Sequence, residues 1–265
     1  MRPPRILILD NDETTGSYNL LFHLYDLFAR SEFGSKLDIA LTMTALTRTF
    51  KTLCIFRPGL TRLLLCASTL KKEERLDKVV MYTNQLDIRQ IRDAPKWKCG
   101  GIDWSVPMII QVMLVYLADN PKLIDTILTR PLETELRIGD YPVKDFVRAF
   151  RALYPTGNIN LSKTLFLDDL ADHPYIIDSS KSETDINSRM KLNPYVKKLS
   201  PSSFWLAVRS CLSMNNIVPS DSDIELIKKY DSIWNKSNDK LIDQYLDDSL
   251  EHIIPLLKTI YSKDN

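Results

Sequence analysis

The chain has 265 residues, of which 44% are hydrophobic and 26% charged, proportions typical of a globular protein built around one good-sized domain. Its 35 Lys and Arg residues nearly balance 34 Asp and Glu residues, so the net charge of +1 does not indicate nucleic-acid or membrane binding. The four cysteines show no CxxC spacing, which argues against zinc and disulfide frameworks, and no apolar run approaches the roughly 20 residues that span a bilayer. Because residues 1–4 leave no room for a signal peptide, we expect an intracellular protein, in the cytoplasm or nucleus.

The first strong pattern is the apolar run of residues 6–9, which predicts a strand buried on both faces. Three acidic residues, Asp10, Asp12 and Glu13, follow it at once. Open α/β sheets form their ligand crevices at the carboxyl ends of strands, and clustered carboxylates favour a bound cation or a shared proton. The run therefore predicts a functional site, with a simple Asp-Asn turn as the alternative.

The next part of the chain alternates helical and strand patterns. Helical spacing predicts a helix over residues 17–30, a helix or mixed segment over 37–49, and a helix over 60–69. Residues 53–56 predict a short strand that leads into the turn Arg57-Pro58-Gly59. Residues 78–84 predict another buried strand, and Thr83 lies at its carboxyl end.

The rest of the chain predicts a second acidic strand end and several helices. Residues 104–118 predict a buried helix with Pro107 in its first turn, and residues 127–130 a short strand. The strand predicted at 164–167 ends in Asp168 and Asp169, as the first strand ends in carboxylates. Residues 194–196 predict a last small strand, and residues 204–212, 221–234 and 241–260 predict helices.

These motifs, in this order, resemble those of the haloacid dehalogenase (HAD) superfamily. The resemblance rests on Asp10-x-Asp12 after a strand, Thr83 at a strand end, a lysine, and the pair Asp168-Asp169. Three further blocks resemble the carboxy-terminal-domain (CTD) phosphatase branch, also described as NLI-interacting factor-like, namely Asp12-Glu13-Thr14, Arg57-Pro58-Gly59 and Tyr141-Pro142-Val143-Lys144-Asp145-Phe146. Asn11 and Thr15 replace the usual leucines of the first motif, and Leu170-Ala171-Asp172 replaces the usual Ser/Thr-Pro after the acidic pair, so the substrate stays open.

The resemblance implies an α/β fold with a HAD-like Rossmannoid parallel sheet flanked by helices. We expect residues 1–200 to form the phosphatase domain, with a middle insertion at about 86–135. Residues 201–265 would be a C-terminal helical extension that either packs onto this domain or forms an appendage.

The resemblance also implies the roles of the site residues. Asp10 would attack phosphorus and form an aspartyl-phosphate, Asp12 would act as general acid and base, and Thr83 and Lys144 would stabilise the phosphoryl oxygens. Mg²⁺ would be the cofactor, since hard oxygen ligands suit it better than zinc. Its predicted ligands are Asp10, Asp168, Asp169 and the backbone carbonyl of Asp12. Thr14, Asn84 and Arg57 would contact the substrate.

Two lysines compete for the catalytic role. Lys163 is five residues before Asp168, roughly 16 Å along a strand at about 3.3 Å per residue, which places it at the wrong end of the strand. Lys144 lies at the start of a predicted helix, where a cation is unfavourable unless it has an anionic partner. The flanking residues also match the family block, so we favour Lys144.

The leading hypothesis is a Mg²⁺-dependent phosphatase that acts on phosphoserine or phosphothreonine in proteins. The missing leucines and the unusual middle segment leave open a second substrate class, a small phosphomonoester or a nucleic-acid end. A third possibility is a non-catalytic binding module that docks a partner through Lys96-Trp97-Lys98 and the C-terminal helices.

Overall fold

The strands of the described chain form one main sheet and several short pairs. The computed structural model describes residues 3–86, 91, 93–130, 137–138, 141–142, 144–145, 151, 153–155, 162–169, 176–177 and 189–262. Within these residues the strands are β1 (Ile6–Leu9), β2 (Lys78–Leu86), β3 (Lys98–Cys99), β4 (Ile102–Asp103), β5 (Thr126–Arg130), β6 (Arg137–Ile138), β7 (Tyr141–Pro142), β8 (Lys144–Asp145), β9 (Thr164–Asp168), β10 (Ile176–Ile177) and β11 (Arg189–Lys191).

Among the described residues, four helices lie between strands of the main sheet in the sequence, and three follow its last strand. In the described chain they are α1 (Asn19–Arg30), α2 (Ile39–Thr52), α3 (Leu60–Lys72), α4 (Val106–Ala118), α5 (Ser203–Met214), α6 (Asp221–Asn238) and α7 (Ile253–Ile260). Two short 3-10 helices, Phe33–Lys36 and Leu250–His252, precede α2 and α7.

Five parallel strands form the main sheet, in the order β11-β9-β1-β2-β5. The prediction of an α/β fold with a parallel sheet flanked by helices is therefore confirmed. β1 lies in the middle, where strands are buried on both faces and read as continuous apolar runs. Leu7 and Leu9 point into the large core that the helices cover, whereas Ile6 and Ile8 belong to a smaller cluster on the opposite face.

The C-terminal helices share the main hydrophobic core. α2 packs against α4 and α5, α1 packs against α6, and α3 packs against α7. Buried side chains of all three C-terminal helices, among them Phe204, Ile227 and Leu257, belong to the same core as those of β1. Of the two predicted arrangements, packing onto the domain is the one observed. Within the described chain, none of the helices combines the length and the apolar character needed to cross a membrane.

The region predicted as an insertion contributes to the main layers of the domain. β5 is hydrogen-bonded to β2 as the edge strand of the sheet, and buried residues of α4 lie in the main core. β5 and α4, which lie within the range predicted as an insertion, therefore pack against the central elements of the domain. The short hairpin β3–β4 precedes them.

The predicted strand at residues 53–56 is wrong. Cys54 has a left-handed backbone, with a φ of 53°, and the Ile55 N–H donates to the Phe50 carbonyl at 2.9 Å. A residue in that conformation does not continue a strand. The apolar run instead forms the turn that follows α2, and Ile55 and Phe56 are buried in the core.

Two other predictions differ from the structure near the C-terminus. Residues 194–196 form no strand, since Val196 makes only a single bridge to Gln244, and the last strand of the sheet is β11. The helix predicted over 241–260 begins only at Ile253, because Gln244 is held by that bridge and Tyr245 has a left-handed φ of 50°.

Tyr261, just after α7, ties the C-terminus to the sheet. Its hydroxyl donates to the Ile6 carbonyl at 2.6 Å and accepts from the Leu165 N–H at 3.3 Å, so it bridges β1 and β9. The side chain is fully buried. Without the hydroxyl, buried backbone groups of both strands would lose a partner.

We expect Tyr261→Phe to lower the free energy of unfolding by about 0.5–1.5 kcal/mol, the usual net contribution of a hydrogen bond. Urea denaturation monitored by circular dichroism measures it. Tyr245→Phe is the matched control, since that ring is half exposed and its change should stay within about 0.5 kcal/mol. Equal stabilities for the two variants would contradict the bridging role.

Candidate active site

Three aspartates meet at the carboxyl edge of the sheet. β1 and β9 pair in register, Leu9 opposite Leu167, so Asp10 and Asp168 lie side by side at aligned positions. The Asp10 N–H donates to the Leu167 carbonyl at 3.0 Å. Carboxylate oxygens of Asp10, Asp168 and Asp169 lie within 4.8 Å of one another.

Burial strengthens the electrostatic interactions among the aspartates of this cluster. Asp168 is fully buried and Asp10 is only 6% exposed, so little water screens their charges. Three hard oxygen ligands that close together suit a cation such as Mg²⁺. The structure thus brings together the three carboxylates predicted as metal ligands.

The loop after β1 is a tight turn that folds back on itself. The Thr14 N–H donates to the Asp12 carbonyl at 2.7 Å, and the Glu13 N–H donates to the Gly16 carbonyl at 2.8 Å. Glu13 has a φ of 60°, a strained conformation for a residue with a side chain. A Cβ on Gly16 would lie 2.8 Å from the Ile55 carbonyl oxygen, so only glycine allows this close approach.

Asp12 occupies a different environment from the cluster of Asp10, Asp168 and Asp169. One of its carboxylate oxygens accepts from the Tyr18 N–H at 3.3 Å. Burial raises the pKa of the Asp12 carboxyl above its ordinary value, although hydrogen bonds from the Tyr18 and Glu13 N–H groups oppose this. A carboxyl that holds its proton more readily is suited to act as an acid.

Thr14, predicted to bind substrate, contacts Asp169. Its hydroxyl accepts from the Asp169 N–H at 2.9 Å and donates to the Asp169 carboxylate at 3.1 Å. These two bonds join the β1 loop to the end of β9. Thr14 therefore positions one of the clustered carboxylates.

Glu13 is a titratable neighbour of the cluster that the sequence reasoning gave no role. Burial, followed by the negative charges of Asp12 and Asp169, raises the pKa of Glu13 to about 7. Its position in the acidic run of residues 10–13 was the only feature of the sequence that could have indicated this.

Arg57, also predicted to bind substrate, is turned towards the protein itself. Its side chain is fully buried, and the guanidinium donates to the Glu13 carbonyl at 3.2 Å and to the Asp248 carboxylate at 2.6 Å. Burial is the largest influence on the Arg57 pKa and lowers it, while the Asp248 carboxylate raises it. Sequence reasoning missed Asp248, since nothing in the sequence links positions 191 residues apart.

Thr83 lies in β2, the strand next to β1, near the carboxyl edge of the sheet. Met81 pairs with Leu9, so Thr83 is aligned two residues beyond the last β1–β2 pair. Its buried hydroxyl accepts from the Gln85 N–H at 3.1 Å, a contact that does not use its own hydrogen. Asn84 lies next to it in β2, and its side chain is outside the described residues.

The two candidate lysines lie in different parts of the sheet region. Lys144 begins β8, a short strand that pairs with β10 and contacts β2, and its side chain is outside the described residues. Its backbone is a strand rather than the predicted helix start. The Lys163 carbonyl accepts from the Ile6 N–H at 3.1 Å, which fixes Lys163 at the amino end of β9, opposite the carboxylates.

Asn11 and Thr15, which stand where the first motif of the HAD superfamily usually has leucines, are both buried. Asn11 is fully buried and Thr15 is 1% exposed, and the Thr15 hydroxyl donates to the Asn11 carbonyl at 2.7 Å. The Thr15 side chain therefore holds the backbone of the loop. Trp97, considered for docking a partner, is also fully buried and donates to the Gly34 carbonyl at 2.8 Å.

Comparisons with protein-family models, with curated proteins and with solved structures found no match to this chain.

We expect Mg²⁺ to stabilise the protein through this cluster. At ten times its Kd, linkage gives about 1.4 kcal/mol, equivalent to a rise in Tm of roughly 2–3 °C for a chain of this size. Asp168→Asn removes one ligand charge and should abolish most of this rise in differential scanning calorimetry.

Asp119→Asn is the control for that measurement. Asp119 is exposed and has a left-handed φ of 47°, which asparagine tolerates, so the Mg²⁺ response should match the wild type. An undiminished response in Asp168→Asn would exclude a metal at the cluster.

Proposed function

We propose that the chain is a Mg²⁺-dependent phosphatase of the HAD type, acting through an aspartyl-phosphate on phosphoserine or phosphothreonine in proteins. The observation that carries the proposal is the cluster of Asp10, Asp168 and Asp169 at the ends of two in-register parallel strands. Substrates in open α/β folds bind at this edge of the sheet. The family resemblance supplies the protein-phosphatase substrate class.

Asp10, Asp168 and Asp169 would hold one Mg²⁺ ion. Their carboxylate oxygens lie within 4.8 Å of one another, and hard oxygen ligands are those that Mg²⁺ prefers. When bound, Mg²⁺ supplies positive charge that reduces the repulsion between a carboxylate and a phosphate. The Asp12 carbonyl, the fourth proposed ligand, accepts one hydrogen bond from Thr14 and keeps a second lone pair.

Asp10 is the proposed nucleophile, and Asp12 the proton carrier. A carboxylate oxygen of Asp10 forms a bond to phosphorus while the bond from phosphorus to the ester oxygen breaks, and Asp12 protonates the leaving oxygen. Asp12 then takes a proton from water, whose oxygen attacks phosphorus and breaks its bond to Asp10. Inorganic phosphate leaves, and both aspartates regain their starting states.

Thr83 and Lys144 are proposed to stabilise charge on the transferring phosphoryl group. The Thr83 hydroxyl hydrogen is not used in its contact with Gln85, so it can be donated to a phosphoryl oxygen. Lys144 would add a positive charge, as lysines do in other phosphoryl-transfer enzymes. Thr14 and Arg57 are assigned to positioning, because their polar atoms contact Asp169, Glu13 and Asp248.

We expect the wild type to hydrolyse p-nitrophenyl phosphate with Mg²⁺, and Asp10→Asn and Asp12→Asn to lose at least about 99% of kcat, as removal of a nucleophile or a proton carrier does. Asp119→Asn should keep full activity. Inactive wild type under varied metals, or activity retained in either variant, would refute the mechanism.

The two lysines give a separate test. We expect Lys144→Ala to lose most of kcat, because charge stabilisation in the transition state contributes about 10²–10³-fold. Lys163→Ala should stay within about threefold of the wild type, since Lys163 lies at the opposite end of β9. The reverse result would mean that the third motif is assigned to the wrong residue.

A further inference from the structure

The C-terminal segment reaches the β1 loop through one buried side chain. The Arg57 guanidinium donates from Nε to the Asp248 carbonyl at 3.0 Å and from Nη2 to the Asp248 carboxylate at 2.6 Å. Its remaining terminal nitrogen, Nη1, donates to the Glu13 carbonyl at 3.2 Å. A planar fork with several fixed donors can make these contacts at once, which a lysine ammonium cannot.

The same contacts hold the strained part of the loop. The Glu13 carbonyl also accepts from the Tyr195 N–H at 2.8 Å, and the Arg57 N–H donates to the Thr15 carbonyl at 3.0 Å. The left-handed backbone of Glu13 persists only where its surroundings fix it. Asp12 and Thr14 flank Glu13, so its position also sets theirs.

Asp248 is itself held firmly against the turn that carries Arg57. Its carboxylate accepts from the Asn193 side-chain amide at 3.3 Å, and the Leu250 N–H donates to the Pro58 carbonyl at 2.9 Å. A Cβ on Gly59 would lie 2.6 Å from the Ser249 hydroxyl oxygen, so the two segments are in direct contact. The C-terminal segment and the turn are therefore held together by direct contacts.

We propose that Asp248 is a positioning residue for the active site. Through Arg57 it fixes the Glu13 carbonyl, and with it the orientation of Asp12 and Thr14, so the C-terminal segment completes the site. Asp248 touches neither the metal-ligand cluster nor the reacting atoms. The kinetic part of this inference rests on the proposed phosphatase function.

The test compares Asp248→Asn with Glu251→Gln. Asparagine keeps the size of Asp248 but loses the charge that faces the buried guanidinium. Glu251→Gln breaks the exposed ion pair to Arg62, which joins the C-terminal segment to α3 without reaching the loop. Asp248→Asn therefore tests whether the loop is positioned by the C-terminal segment. Glu251→Gln tests the effect of weakening the attachment of that segment alone.

NMR-detected hydrogen exchange gives a readout that needs no activity. In Asp248→Asn we expect the Glu13, Thr14 and Thr15 amides to exchange at least about tenfold faster, while β1 amides keep their rates, as in local opening. In Glu251→Gln the exchange rates of both sets of amides should match those of the wild type. The proposal would be overturned if Asp248→Asn accelerated the loop and β1 amides equally, which would show a global loss of stability. It would also be overturned if the loop amides of Asp248→Asn exchanged no faster than those of the wild type.

Kinetics provide the second readout. Asp248→Asn should lower kcat at least about tenfold with KM changed less than about threefold, because misplacement of reacting groups affects the chemical step. Unchanged kcat in Asp248→Asn would overturn the positioning role. If the wild type has no phosphatase activity, the proposed function fails, and the exchange data still decide whether Asp248 positions the loop.

Arg57→Lys covers the case in which Asp248→Asn does not fold. A lysine can keep a charge contact with Asp248 but cannot also serve the Glu13 carbonyl. The same selective acceleration of the loop amides is expected in this variant. Wild-type exchange in a folded Arg57→Lys protein would contradict the proposal.

Discussion

The repulsion among the clustered carboxylates is the constraint on which the site depends. Neighbouring strands lie about 4.8 Å apart, so side chains at aligned strand ends cannot separate by a small adjustment. Asp10 and Asp168 occupy such positions, and both are buried from the water that would screen them. The sheet register thus imposes a concentration of negative charge that a bound cation would relieve.

The loop after β1 places two aspartates, two residues apart, in different surroundings. Asp10 belongs to the cluster, whereas Asp12 is turned towards the Tyr18 N–H, and burial raises the pKa of its carboxyl. Pairs of carboxyl groups in different environments can divide nucleophilic and acid roles. The proposed mechanism needs this division, and the tight turn through Glu13 and Gly16 produces it.

The sequence allowed prediction of features determined locally. A buried parallel strand is a short apolar run, and its carboxyl end is where polar residues resume, so β1, β2 and β9 and the residues after them could be located. The strand prediction for residues 53–56 was wrong because an apolar composition also fits a buried turn after a helix. The helix prediction for residues 241–249 was wrong because the bridge from Gln244 to Val196 is a tertiary contact that overrides helical spacing.

Contacts between distant parts of the chain could not be predicted in this way. Arg57 was recognised as part of a turn, but its partners Glu13 and Asp248 lie 44 and 191 residues away. Such contacts form only after the intervening chain has folded, because closing long loops costs conformational entropy. The C-terminal helices join the same core as β1, and Tyr261 bonds directly to β1 and β9. The geometry of the β1 loop therefore depends on contacts with distant parts of the chain. The loop's acidic residues themselves all lie within a few positions of β1.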